Sequence, residues 1–158
     1  ADVETALEKV EWNLIFFFVG LFTIIGVMKE VGVLYQIGLA LKPYLISGPL
    51  SGPSFLMWFS AVLSGFTNNI PLSAMMVEII HGLEIQMAKD TFWWGLILGS
   101  NLGGNLTTIG SVSTMVGMTV LRQEDISVSF VEFMRISLLF VLVQLLLANG
   151  YLVLINLF

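Results

Sequence analysis

Leu98-Gly99-Ser100-Asn101-Leu102-Gly103-Gly104-Asn105-Leu106-Thr107-Thr108-Ile109-Gly110-Ser111 joins two apolar runs, Phe92 to Leu98 and Val112 to Leu121, and neither is long enough to cross a membrane. The same arrangement occurs earlier, where Ser64-Gly65-Phe66-Thr67-Asn68-Asn69-Ile70-Pro71 separates Phe55 to Leu63 from Leu72 to Ile80. Runs of seven to ten residues at helical rise cover only about half of a hydrocarbon core roughly 30 Å thick. Such a pair can be a re-entrant hairpin that enters and leaves by one face, or one spanning helix broken at mid-depth. Both leave backbone groups without helical partners, which a membrane tolerates only where they are buried in protein or line a wet cavity. Short hydrophobic segments interrupted by Gly and Pro therefore point to a transporter binding site. We read residues 54–81 as a re-entrant hairpin and 92–121 as a broken transmembrane helix.

The surrounding chain supports a membrane setting. Of its residues 57% are hydrophobic and 11% charged, where a soluble domain carries about a quarter charged. There are too few charges to clothe a soluble surface, and lipid is the expected solvent. Residues 12–28 are almost wholly apolar and form a first transmembrane helix, with Trp12 in the interfacial belt and Lys29 and Glu30 at its end. Residues 31–42 show a helical period too short to span and form an interfacial helix. Lys42 to Pro53 holds Pro43, Pro49 and two glycines, which predicts a loop. Residues 129–158 give an interfacial lead-in followed by a second span, with Glu132 and Arg135 spaced for a surface pair.

The two interruptions share one chemistry. The first offers Ser64, Thr67, Asn68 and Asn69; the second offers Ser100, Asn101, Asn105, Thr107, Thr108 and Ser111. All are neutral hydroxyls and amides. Together with freed carbonyls at half-helix C-termini they suit a hard monovalent cation such as Na+. Half-helix N-termini would present N–H groups to an anion in the same space. Gly99, Gly103, Gly104 and Gly110 are expected to supply left-handed backbone or close approach to a ligand. Single polar or Gly residues in membrane helices more often serve packing; the density of the two clusters argues for a site.

Other chemistries find less support. Cysteine is absent, which removes thiol catalysis, thiolate metal sites and disulfides, and His81 is the one imidazole. An intramembrane enzyme would lack a nucleophile and base. The Gly-Ser-Asn-Leu-Gly-Gly-Asn run has no P-loop Lys. The acids Asp2, Glu4, Glu8 and Glu11 cluster near the start, with no basic run that could hold phosphates, so nucleic acid is not an expected partner. Glu78 and His81 lie in the returning hairpin arm as proton-linked candidates, with pairing between helices at the membrane face as the alternative. Methionines such as Met115 and Met118 read as packing.

Three stretches resemble the ion transporter superfamily, in the branch of arsenite permeases, D-type Na+/H+ antiporters and the pink-eyed-dilution protein. Val10-Glu11-Trp12 through Gly20-Leu21-Phe22 resembles the helix before the family's second hairpin. Ser64 to Pro71 resembles the hairpin tip, and Trp93-Trp94 through Ser111 the broken-helix motif. The resemblance implies an all-α integral membrane fold of two inverted repeats, each giving a hairpin and a broken helix to a central site, with only the C-terminal repeat present here. It maps cation binding to Thr67, Asn68, Asn69, Asn105, Thr107 and Thr108, with Gly110 in the motif beside them. Asn68-Asn69 stands where antiporter-like members often carry Asp-Asn, which removes the intramembrane carboxylate and matches the Asn-Asn-x-Pro form of arsenite permeases. Thr114 stands where many relatives have Asn.

The expected function is part of a secondary transporter for an inorganic ion or small anion, coupled to Na+ or H+. The alternative is a non-transporting membrane subunit that keeps the fold for assembly. No cofactor is expected beyond a bound Na+. The expected partners are the lipid bilayer, a small ion or anion, and either the missing N-terminal repeat or another copy of the chain. A chain beginning at Ala1 rather than Met is read as a piece of something longer. Lys29, Lys42 and Lys89 on one side against Lys9, Arg122 and Arg135 on the other leave orientation open, a balance that a dual-topology dimer would also show. The prokaryotic cytoplasmic membrane is the expected location, with an organelle membrane as the alternative.

Overall fold

A computed structural model describes residues 12–83 and 90–157, and among these every regular element is an α-helix. The helices are α1 (Trp12–Glu30), α2 (Val33–Leu45), α3 (Ser51–Phe66), α4 (Asn69–Gly82), α5 (Asp90–Gly103), α6 (Val112–Gln123) and α7 (Phe130–Leu157). The acidic run from Asp2 to Glu11, with Lys9, and Lys89 lie outside the described residues, as does Phe158.

Among the described residues, α7 alone is long and apolar enough to cross a membrane. The stretch Ile15–Glu30 meets that standard jointly with α2, across a bend of 74°. The bend is made at Gly32, whose φ of 77° is left-handed backbone that a residue without Cβ adopts at little cost.

The segment expected as a loop is largely helical. α2 continues through Pro43 to Leu45, and α3 begins at Ser51, leaving 46–50 as the connection. Prolines mislead here because of where they fall. Pro53 occupies the first turn of α3, where backbone N–H groups have no helical partner to lose, and Pro43 falls only in the last turn of α2.

The core has two parts. One is built around Leu34, Leu56, Met76, Ile79, Phe92 and Leu96, where α2, α3, α4 and α5 meet. The other sets Met57 and Ala61 of α3 against Val141, Leu145, Ala148 and Leu152 of α7. The α3–α5 contact joins them. A Cβ on Gly95, Gly99 or Gly103 would stand 2.6, 2.2 or 2.1 Å from the carbonyl oxygens of Pro53, Met57 and Ala61 respectively. The two helices therefore touch backbone to backbone over two turns, each glycine opposite a residue spaced by four on the partner. α6 packs against no other helix among the described residues. The outer faces are apolar, with Val131, Ile136, Leu139 and Leu147 exposed along α7, as lipid-facing residues would be.

Gly103→Ala is expected to destabilise the full-length protein by about 1–3 kcal/mol, because the methyl must displace a backbone carbonyl. Gly150→Ala, with nothing within 4 Å of the added Cβ, is the control, and thermal unfolding in detergent compares the two.

Candidate functional site

Both interruptions are narrower than the sequence suggests. α3 and α4 are joined only by Thr67 and Asn68, while α5 runs on to Gly103, so the second break covers 104–111. Gly99, Ser100 and Asn101 are thus helical. Gly99, Gly103, Gly104 and Gly110 have no positive φ; among the described residues the left-handed positions are Gly32 and Asp125. Their purpose is close approach of backbone to backbone: a Cβ on Gly110 would lie 2.7 Å from the Gly104 oxygen and 2.9 Å from that of Ser64.

Local hydrogen bonds set the ends of each break. The Thr67 hydroxyl donates to the Leu63 carbonyl at 2.9 Å, closing α3, and the Asn68 side chain accepts from the Ile70 N–H at 3.1 Å, opening α4. Pro71 falls in the first turn of α4, where its missing N–H costs nothing. Ser111 caps α6 by accepting from the Thr114 N–H at 3.2 Å, and Thr114 reaches back to the Ser111 N–H, completing a capping box. Thr114 is thereby a structural partner of the break.

Three further bonds tie the breaks together. The buried Ser64 hydroxyl donates to the carbonyl of Ser100, and the buried Thr107 hydroxyl donates to the carbonyl of Gly65. The Asn69 amide donates to the Asn101 side-chain oxygen at 3.3 Å, and Asn101 in turn donates to the Ile97 carbonyl at 2.9 Å. Ser64 and Thr107 are both 0% exposed; Thr107 supplies the donor that the buried Gly65 carbonyl requires, while Ser64 adds a second donor to the Ser100 carbonyl, which also accepts from the Gly104 N–H at 3.3 Å. The result is a junction of neutral donors and acceptors at the C-terminal ends of α3 and α5 and the N-terminal end of α4, with the Ser111-capped start of α6 adjoining through Gly110.

Asn105 and Thr108 are held apart from those bonds. Asn105 faces a cavity of about 320 Å³ beside the start of α7. Thr108 lines another, of about 270 Å³, with Ile109, Met118 and Arg122. Glu78 and His81 stand farther off, nine and twelve positions along α4 from Asn69, or about 14 and 18 Å of helical rise. Glu78 is ion-paired with Lys29 of α1 at 2.6 Å, and the exposed His81 ring lies 5.6 Å from that of Trp93. Glu132 and Arg135, expected as a surface pair, form no ion pair.

Ser137 escaped the sequence reading. Its hydroxyl donates to the Leu106 carbonyl at 2.9 Å and to that of Phe133 at 2.8 Å, so it anchors the second break to α7. A lone Ser in an apolar helix carries no signal that would have revealed this.

Among the described residues every regular element is helical, the outer faces are apolar and two interrupted helix pairs meet at a polar junction, an arrangement consistent with an integral membrane protein of a transporter family. The chain belongs to the citrate transporter family CitMHS of the ion transporter superfamily, whose family model matches residues 1–99. It is 36% identical over 151 residues to an uncharacterized transporter of Mycobacterium bovis, covering 92% of this chain and 35% of that protein. A 46 kDa membrane protein of Mycobacterium leprae is 30% identical over 150 residues, again 92% of this chain and 35% of that one. The P protein of Sus scrofa is 29% identical over 160 residues, 96% of this chain and 19% of that protein. The chain thus spans about a third of the length of the mycobacterial relatives it matches. No solved structure matches it.

Thr107→Val should leave the Gly65 carbonyl buried without a donor and cost about 1–3 kcal/mol, while Thr107→Ser retains most of the stability. Hydrogen exchange over 104–111 reads the difference, and equal protection in both variants would contradict the role assigned to the hydroxyl.

Proposed function

We propose that this chain supplies one half of a secondary transporter for a small anion, coupled to Na+ or H+, with its share of the site at the junction of the two breaks. In this reading residues 54–81 are a re-entrant hairpin, 92–121 a broken span, and the other half comes from an N-terminal repeat or a second copy. The observation that carries it is the mutual bonding of the breaks: Ser64 with Ser100, Gly65 with Thr107, and Asn69 with Asn101. Structural bonding alone would leave these segments closed, whereas the Asn105 side chain has no hydrogen-bond partner among the described residues and remains available to a ligand.

The family's description points to citrate as the kind of anion. A polycarboxylate suits a junction without Asp or Glu, where α4 and α6 begin and their positive ends favour negative charge. Carbonyls and amide oxygens of Asn68, Asn69 and Thr107 at the junction would hold Na+, the coupling ion this chemistry accommodates most readily, with Asn105 and Thr108 on its flanks. Glu78, committed to Lys29, fits a pairing role between α1 and α4 better than proton transfer. A prokaryotic cytoplasmic membrane is the setting that the bacterial relatives suggest.

In proteoliposomes of the full-length protein, Asn68→Ala or Asn105→Ala is expected to abolish Na+- or H+-driven citrate uptake. Uptake unchanged in both would sink the assignment of the site. Binding of citrate without flux would instead select a non-transporting subunit.

A further inference from the structure

Of the two cavities described beside the second break, the smaller, of about 270 Å³, has a charged residue in its wall. Ile109 and Met115, with the buried Met118, supply its apolar surface; Thr108, Thr119 and Arg122 supply its polar groups. Met115, Met118, Thr119 and Arg122 follow the i, i+3, i+4, i+7 spacing of one helix face, so the cavity runs along α6. Long side chains on a helix lean toward its N-terminus. Arg122, in the last turn of α6, thereby reaches back to share the cavity with Thr108 of the break.

Two of the three polar groups keep their donors free. Thr119 donates its proton to the Met115 carbonyl at 2.9 Å. The Thr108 hydroxyl and the Arg122 guanidinium have no hydrogen-bond or ionic partner among the described residues. An Arg in the last turn of a helix commonly serves the negative helix end. Here the carbonyls of Val120, Leu121 and Arg122 accept instead from the backbone N–H groups of Glu124, Asp125 and Ile126. Glu124 and Asp125 follow Arg122 closely, but neither lines the cavity nor pairs with it.

These free donors define the occupant. A guanidinium stays charged and repels a cation, and no carboxylate lines the cavity to offset it. Its fork of N–H groups matches the two oxygens of a carboxylate, in bonds shorter and stronger than neutral ones. The Thr108 hydroxyl adds a donor from the loop. A bare inorganic anion would leave Ile109, Met115 and Met118 without a partner, whereas the carbon skeleton of an organic acid packs on them.

We propose, on the transporter reading above, that Arg122 and Thr108 form a vestibule that captures a carboxylate of the transported anion beside the junction. Arg122 raises the local concentration of organic acid at the Thr108 flank of the break. The junction itself stays uncharged, so capture and final binding fall to different residues.

The test measures citrate uptake at several ionic strengths in proteoliposomes of the full-length protein. Arg122→Gln should lower kcat/KM about tenfold, the scale of a hydrogen bond to a charged group, and leave kcat within about twofold. It should also flatten the fall of kcat/KM with added salt that the wild type shows. Arg122→Lys, which keeps the charge, should recover the salt dependence and part of the loss. Arg135→Gln, outside the cavity, should match the wild type. Without any variant, citrate should slow phenylglyoxal labelling of Arg122 but not of Arg135, as mapped by mass spectrometry; this arm stands if Arg122→Gln fails to fold. Unchanged kcat/KM in Arg122→Gln, or labelling of Arg122 indifferent to citrate, overturns the vestibule while transport itself stands. Equal losses in the Gln and Lys variants with salt dependence retained would show a packing role and overturn it too. A wild type without saturable citrate uptake overturns both the vestibule and the transporter reading.

Discussion

The backbone contact between α3 and α5 is the constraint on which the remainder depends. In lipid, helices gain nothing by hiding apolar surface from one another, so association rests on close packing and hydrogen bonds. Gly95, Gly99 and Gly103 remove the Cβ atoms that would hold the axes apart, and Pro53, Met57 and Ala61 present carbonyls into the gap. At this distance the register is fixed, since rotating either helix by one residue would drive a side chain into backbone. Continuing the same spacing one step beyond Ala61 and Gly103 places Gly65 beside Thr107, while Ser64 reaches back to the Ser100 carbonyl within the last turn of α5. The two breaks meet because a stripe of glycines aligned the helices that lead to them.

Once aligned, the breaks satisfy one another. Each interruption frees carbonyls that a membrane interior would penalise; the Thr107 hydroxyl takes up that of Gly65 across the junction, and the Ser137 hydroxyl of α7 that of Leu106. Ser64 and Thr107 are completely buried, which makes them part of the fold before they can be part of any binding chemistry. Asn105 and Thr108 differ, because they lie on the flanks of the loop and open into separate cavities. The two kinds of polar residue are indistinguishable by type and differ only in whether a carbonyl lies opposite.

Much of this was legible in the sequence, for a physical reason. Half-length apolar runs around Ser64–Pro71 and Gly99–Ser111 cannot be ordinary spans, and that alone isolates the two breaks. Their widths were not legible. Ser, Asn and Gly favour turns in water, yet Gly99, Ser100 and Asn101 are helical because glycines there serve the approach of α3. Gly103 and Gly110 likewise meet backbone instead of adopting left-handed angles. Prolines misled in the opposite sense: Pro43 and Pro53 suggested a loop, but Pro53 sits in the first turn of α3, where a missing N–H is cheap, and Pro43 falls only in the last turn of α2, two residues before its end. The pairing of Lys29 with Glu78 and the anchoring of Leu106 by Ser137 join residues far apart in sequence, and no local pattern announces such contacts.

The absence of charge at the junction bears on how selectivity can arise there. Glu78, the carboxylate within α4, is held by Lys29 about 14 Å of helical rise from Asn69. What remains at the breaks are dipoles: helix ends, amides and hydroxyls. In a low-dielectric setting such groups interact strongly with an ion, but a set containing both donors and acceptors does not by itself choose the sign. In the proposed transporter, that choice would fall to the order in which ligands arrive. A cation held by oxygens of the loop adds its charge to the positive ends of α4 and α6 and raises affinity for an anion beside it; the anion does the same in return, by linkage. A carboxylate at the tip would fix one sign in advance. Asn68 and Asn69 leave the coupling to the two ligands themselves.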